Sequence, residues 1–330
     1  MNMNATTHPT PLADAAPAAG EAPIVEFRNA SKWYGNVIGV NNLTLAIAPG
    51  VTGLLGPNGA GKSTALQLAT GQLKPSQGEV LVLGQRAWNN PALNRRVGLC
   101  PEQDAFYEWM SGREFVATCA GLGGMLRKQA RQAADRALER VRMTEHAGRA
   151  IRGYSKGMRQ RTKIAQAIVH DPEVLFLDEP LTGTDPVARR DLMDIILEIG
   201  EGGRGVVISS HVLHEIQSVT REIVLLNHGR LVAEGQVRQI RDLIDTHPHR
   251  IVLKSADRRA LAAELVRFDD VVGVELRRDD GTILVETRSP DRFYGRLAEL
   301  SMRAESPIEE VYSDDDNLEA VFRYLVSPTK

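Results

Sequence analysis

Short apolar runs and helical stripes alternate along most of this chain. Val51 to Leu55, Val97 to Pro101, Val174 to Leu177 and Gly205 to Ser209 are almost wholly apolar, the pattern of parallel strands buried on both faces. Helical patterns separate them. One runs from Lys62 to about Thr70, and a longer one from Arg113 to Arg149 is broken at Gly121 to Gly124. A third helix, capped by Ser155, carries the stripe Met158, Ala165, Ile168 and Val169 and stops at Asp171-Pro172. A fourth has Asp185 as its cap and Pro186 at its first position, and it buries Leu192, Ile195, Ile196 and Ile199. Ahead of these, Ile24 to Phe27 reads as extended, Asn29 to Gly35 as a turn, and Val37 to Ile47 as renewed alternation ended by Pro49-Gly50. Gln77 to Gly84 is a further strand. Ile223 to Leu226 and Leu231 to Ala233 flank Asn227-His228-Gly229 as a closing hairpin.

The pattern changes after His247-Pro248. A strand at Ile251 to Leu253, a helix marked by Leu261 and Leu265, a hairpin around Asp279-Asp280-Gly281, a helix with Phe293, Leu297 and Leu300, and a strand at Ile308 to Tyr312 follow in order. This βαββαβ sequence predicts a small ferredoxin-like α+β domain over 246–330, with a last helix at Leu318 to Leu325 capped near Asp316. The expected division is a disordered, Ala- and Pro-rich tail at 1–23, an α/β nucleotide-binding domain at 24–245, and this accessory domain. A net charge of -2 argues against a nucleic-acid binder that relies on a basic surface, and two cysteines are too few for a disulfide framework. No run approaches the 18 or more apolar residues of a membrane span, so the expected location is the cytosol, peripheral to a membrane only through a partner.

Candidate chemistry gathers where the strands end. Gly56-Pro57-Asn58-Gly59-Ala60-Gly61-Lys62-Ser63-Thr64 follows the first apolar run and opens the first helix. Its glycines let successive N–H groups converge on one anion at a helix N-terminus, Lys62 reaches β- and γ-phosphates, and the Ser63 hydroxyl suits magnesium. Asp178 and Glu179 close the Val174 strand, and His211 follows the Gly205 strand. Together these predict a nucleotide hydrolase in which Ser63 directly and Asp178 through water hold magnesium, Glu179 polarises the attacking water, and His211 touches the γ-phosphate or orients Glu179. Tyr34, about twenty residues before the loop, is a candidate base-stacking ring, with Trp33 as its rival.

Tyr34, Gly56 to Ser63, Ser155-Lys156-Gly157-Met158, Leu177-Asp178-Glu179-Pro180, Gly183-Thr184-Asp185-Pro186 and His211 resemble, in order and spacing, the motifs of ATP-binding subunits of ABC transporters. The resemblance covers about Ile24 to Ile240. It implies a P-loop NTPase of ABC type with a helical subdomain at about 104–170 and an antiparallel β subdomain. It also implies a homodimer in which ATP on the phosphate loop of one copy is closed over by Ser155 and Gly157 of the other, with Asp185 crossing the interface. Tyr154-Ser155-Lys156-Gly157-Met158 is similar to the variant of the exporter branch, whose members move drugs, antibiotics, sodium or surface polymers outward. Where the family places a magnesium-binding glutamine, Glu102 aligns with Gln103 beside it, and the resemblance leaves that role between them.

Phe106, Tyr107, Trp109 and Met110 form a loop rich in large apolar groups, either a satellite core or a grip for a partner. The resemblance favours the grip, with a cytoplasmic helix of an integral-membrane permease as its occupant. Two other functions compete with the ATPase subunit of an exporter. An ABC-type ATPase of nucleic-acid or translation machinery usually carries two phosphate loops where this chain has one, and a module that binds ATP only to pair has no need of Glu179 and His211.

Overall fold

A computed structural model describes residues 22–201, 204–236, 248–277, 281–303 and 308–313. The tail over 1–21, the 245/246 boundary, turn residues Asp279 and Asp280, and the helix expected at Leu318 to Leu325 lie outside the described residues. Strands β1 (Val25–Tyr34), β2 (Val37–Ile47), β4 (Gln77–Val82) and β5 (Gln85–Arg86) make an antiparallel sheet in the order β2-β1-β4-β5. A second sheet has the order β10-β9-β3-β8-β7-β6, from β3 (Val51–Leu55), β6 (Val97–Cys100), β7 (Val174–Leu177), β8 (Gly205–Ser210), β9 (Glu222–Asn227) and β10 (Arg230–Gln236). All neighbours in it are parallel except the β9–β10 hairpin.

The central strands read as continuous apolar runs because both faces are covered. Leu54, Val174, Phe176, Val207 and Val224 face a core shared with β1, β2, β4 and helix α1 (Lys62–Ala69). Their strand neighbours Leu55, Leu175, Leu177, Ile208 and Ile223 point the other way, as the two-residue period of a strand requires. The short α2 (Pro91–Asn94) buries Leu93 in the first core, and the helices on the second face are α3 (Gly112–Leu122), α4 (Arg127–Arg140), α5 (Lys156–Ile168), α6 (Pro186–Gly200) and α7 (Leu213–Gln217). The predicted break between α3 and α4 is real: Gly123 caps α3 and Gly124 turns the chain at φ 98.

One expectation needs correction. Asn29 to Tyr34 is strand, not turn; the ladder absorbs a bulge between Phe27 and Ala30, where Asn29 adopts φ 48 and accepts a 2.9 Å hydrogen bond from Thr44 Oγ1. The reversal comes only at Gly35, φ 61. The aromatic loop divides: Phe106 and Met110 are partly buried against the helical core, Phe106 edge-on to Phe115 with ring centroids 5.0 Å apart, while Tyr107 and Trp109 are exposed, their rings tilted against each other with centroids 5.3 Å apart.

Beyond residue 247, β11 (His249–Ser255), β12 (Val271–Leu276), β13 (Ile283–Thr287) and β14 (Ile308–Ser313) form an antiparallel sheet in the order β12-β13-β11-β14. Helices Arg258–Leu265 and Pro290–Arg303 follow β11 and β13, and the core joins Ile251, Leu253, Ile283 and Val285 to Leu261, Leu265, Phe293 and Leu297. No described helix is long and apolar enough to cross a membrane.

Ile195 is fully buried between α6 and the sheet, so Ile195→Ala leaves a cavity there. Urea denaturation of this variant is expected to show a loss of about 2–5 kcal/mol.

Candidate functional site

Parallel register brings three strand ends together. Leu55 pairs with Ser210 across β3 and β8, and Leu177 with Ile208 across β7 and β8, so the segments after them leave the sheet side by side. Ligands of open α/β sheets collect at such carboxyl ends. The loop after β3 wraps from Gly56 to Gly61, Ala60 N–H donating to Pro57 O at 3.0 Å. Gly61, at φ 100, stands where a Cβ would lie 2.4 Å from the Gly39 carbonyl, so only glycine fits without displacing backbone. No side chain caps α1, and the first N–H groups of a helix have no acceptor within it. The end of α1 is therefore a cradle of N–H donors with a positive dipole.

Lys62 is buried, at 6% exposure, and its ammonium folds back on its own loop. Its Nζ donates to Gly56 O at 2.7 Å and Pro57 O at 3.3 Å, and lies 3.2 Å from Glu179 Oε1. Glu179 Oε2 accepts from Thr182 Oγ1 at 3.0 Å and pairs with His211 Nδ1 at 2.9 Å. An ionised carboxylate only accepts, so that contact places the imidazole proton on Nδ1. Oε1 is buried and faces the Lys62 ammonium. Glu179 is also held at φ 47, a left-handed conformation that costs a non-glycine residue about 1–3 kcal/mol.

Ser209 holds the two carboxylates in place. Fully buried, its Oγ donates to Asp178 Oδ1 at 2.7 Å and accepts from Glu179 N–H at 2.8 Å. Asp178 N–H donates in turn to Cys100 O at 2.9 Å, tying β6 to the same corner. Burial pushes the Cys100 thiol up to about 12, so this sulfur stays protonated and is no nucleophile. Ser209 and Thr182 were not singled out in the sequence. The only signal was a pair of hydroxyls, Ser209-Ser210, just before His211.

The remaining candidates fall in two groups. Tyr34 lies beside the loop, its ring over Gly39 and its hydroxyl 3.4 Å from Thr64 Oγ1; strand alternation sends Trp33 to the other face. Glu102 and Gln103 are exposed just beyond β6, next to the strand that ends at Asp178. Ser155, Gly157 and Asp185 stand apart: among the described residues no hydrogen bond or ion pair joins them to residues 56–64. Ser155 caps α5, its Oγ accepting from Met158 N–H at 3.3 Å, and Gly157 packs against Ala188 of α6. Asp185 Oδ1 accepts from Val187 and Ala188 N–H at 3.0 and 2.9 Å. Ser155 and Asp185 are exposed, which leaves both helix starts open to a partner.

A phosphate cradle and a carboxylate–histidine pair at the ends of adjacent parallel strands define a nucleotide-binding protein of the P-loop class. Residues 40–182 match the family model described as ABC transporter. The daunorubicin/doxorubicin resistance ATP-binding protein DrrA of Streptomyces peucetius is 31% identical over 305 residues, 91% of this chain and 92% of that protein. The ABC transporter ATP-binding protein YxlF of Bacillus subtilis is 36% identical over 202 residues, 61% of this chain and 66% of its own length, just under two thirds. A solved ATP-binding subunit of an ABC transporter superposes with a TM-score of 0.60 at 26% identity, covering 67% of this chain and 93% of that one. The chain belongs to the ABC transporter ATP-binding protein family.

Ser209→Ala strips Glu179 N–H and Asp178 Oδ1 of a common partner inside the protein. Its urea midpoint is expected to fall by the equivalent of about 1–3 kcal/mol.

Proposed function

We propose that the chain binds and hydrolyses ATP and that two copies, each attached to a membrane permease, use the reaction to drive transport. The observation that carries this reading is the buried pair beside the cradle, Lys62 Nζ 3.2 Å from Glu179 Oε1. Each charge is tolerable there through the other, and an anion in the cradle competes with Glu179 for Lys62. Phosphate bound in the cradle draws Lys62 from the carbonyls of Gly56 and Pro57 to itself. Oε1 is then free to accept from water, while Thr182 and His211 hold Oε2 and fix the carboxylate. Glu179 thus acts as general base. His211, its Nδ1–H donating to Oε2, orients the carboxylate.

Ser63 and Asp178 are the residues that would hold magnesium. Hydroxyl and carboxylate oxygens are the donors a hard cation takes, and so small a protein set suits an ion that keeps phosphate and water as its other ligands. Bound there, it neutralises charge on the β- and γ-phosphates. Glu102 or Gln103 is a candidate for one more oxygen. Tyr34 stacks on the base.

Ser155, Gly157 and Asp185 act on the nucleotide of the partner copy. Their separation from the loop in one chain and the exposure of Ser155 and Asp185 support this, since a capped helix start offers N–H groups to an anion. Export is the favoured direction. The likeness to DrrA and the Tyr154 to Met158 sequence support it. Tyr107 and Trp109 are the permease contact; Phe106 and Met110 stiffen the loop from beneath. The division at 24–245 and 246–330 separates the ATPase from a domain that supports regulation or pairing.

Glu179→Gln is expected to bind ATP with nearly unchanged affinity and to release phosphate about 10² to 10⁴ times more slowly, roughly 3 to 5.5 kcal/mol of barrier. Near-normal turnover would exclude Glu179 as the base. Trp109→Glu is expected to release the protein from membranes containing its permease while nucleotide binding persists; unchanged membrane association would remove the permease contact from this loop.

A further inference from the structure

Charge is distributed unevenly along this chain. Residues 104–170 hold 13 Lys and Arg against 6 Asp and Glu, a net of +7, while the whole chain has 40 against 42, so the other residues sum to -9. A segment so basic in an otherwise acidic protein points to an anionic partner. The charge has its focus in α4. That helix buries its alanines and Leu138 in the helical core and turns Arg127, Lys128, Arg131, Arg136 and Arg140 to solvent. Asp135, one of two acids on the exposed face, is already matched by Arg113 at 2.6 Å. Arg131 has Glu114 of α3 within electrostatic reach, whereas Arg127, Lys128, Arg136 and Arg140 enter no ion pair among the described residues.

The start of α4 departs from the rules its neighbours obey. Ser111, Ser155 and Asp185 cap α3, α5 and α6 with side chains that accept from the first turn; α4 has Leu126 at the cap position, no side-chain cap and no acid in its first turn. Arg127 and Lys128 instead place positive charge at the positive end of the helix dipole. Just before them the turn exposes two bulky apolar side chains, Leu122 at 85% and Leu126 at 71%, on either side of Gly123 and Gly124. Each departure costs stability, and local conflicts of this kind mark functional surfaces. Leucines beside cations suit a surface of anionic lipid, where the apolar groups enter the acyl boundary and Lys and Arg stay with the phosphates. We propose that the α3–α4 turn and the exposed face of α4 dock on anionic lipid of the membrane that holds the permease. Nucleic acid offers the same charge but no acyl layer for the two leucines. The helix α3, 11 residues and about 16 Å long, separates this turn from the aromatic loop, so lipid and permease meet two points of one subdomain. Only the pairing of those two contacts rests on the proposed transport function. A few cations and two leucines bind weakly and reversibly; they raise occupancy once the permease contact makes the second attachment intramolecular. Loss of the permease contact alone therefore still releases the chain.

The test sediments the full chain, without permease or nucleotide, with vesicles of phosphatidylcholine alone or of phosphatidylcholine carrying phosphatidylglycerol. The anionic vesicles are expected to take up the protein about tenfold more strongly. Raising salt from about 0.1 M to about 1 M, which shortens the screening length from about 10 to about 3 Å, should remove most of that preference. Arg127→Glu with Lys128→Glu is expected to lower uptake by anionic vesicles about tenfold. Leu122→Ser with Leu126→Ser should lower it about threefold without lowering the thermal midpoint, because serine at 126 can cap α4. Trp109→Glu, beyond the other end of α3, is expected to stay within about twofold of the parent. Equal uptake by the two vesicles, no effect of the charge reversal, or a loss confined to Trp109→Glu would overturn the proposal. Tighter binding to an RNA homopolymer than to anionic vesicles, lost in the same charge-reversed variant, would give the face to nucleic acid and overturn it as well. With neither nucleotide nor permease in the assay, these failures leave ATP hydrolysis standing, and a chain that released no phosphate would leave the lipid contact standing.

Discussion

A buried ion pair governs the site. Lys62 and Glu179, each about 6% exposed, come from the first and the third of three adjacent strand ends, and each would be intolerable there alone. Taking two charges from water costs several kcal/mol apiece, and only close approach and further hydrogen bonds recover it. The loop carbonyls of Gly56 and Pro57 complete Lys62, and Thr182 and His211 complete one oxygen of Glu179. The other oxygen faces the Lys62 ammonium itself, at 3.2 Å. Charge is thus balanced within the site as it stands, and an anion arriving in the cradle would compete with Glu179 for Lys62.

That pair needs an unusually stiff support, which the parallel sheet supplies. Apolar side chains leave β3, β7 and β8 on both faces, into two separate cores, so none of the three strands can slide without flipping its residues into the wrong core. Ser209 carries the rigidity of β8 to the adjacent carboxylates. The left-handed backbone at Glu179 is kept in place by this bracing.

The parts of the molecule that could be read in advance are those written in short contiguous stretches. The phosphate loop, Asp178-Glu179, His211 after its strand and the caps at Ser155 and Asp185 each depend on neighbours in sequence, and the structure has each as strand end, loop or cap. The strand continuing through Asn29 was obscured because a left-handed asparagine with a side-chain bond reads as a turn. Ser209 was hidden for a different reason: its partners lie 31 and 30 residues away, and hydrophobic period says nothing about where a hydroxyl finds its bonds. Nothing in the sequence signals that Lys163 is buried: its ammonium rests on the Pro101 and Glu102 carbonyls, 62 and 61 residues earlier, which no local pattern displays. In the aromatic loop composition marked four residues, yet only packing separates the supports, Phe106 and Met110, from the exposed rings, Tyr107 and Trp109.

The proposed function divides the site between two places that no described hydrogen bond or ion pair joins: a cradle with its acid and histidine, and the exposed, Ser155-capped start of α5. Hydrolysis by this account belongs to the pair of chains. The most direct measurement is the rate of phosphate release per chain, with ATP and magnesium in excess, as protein concentration is raised. The account predicts that dilute protein is nearly inactive and that turnover per chain climbs steeply before levelling off as copies associate. A rate per chain that stays constant down to concentrations where only single copies exist would contradict it.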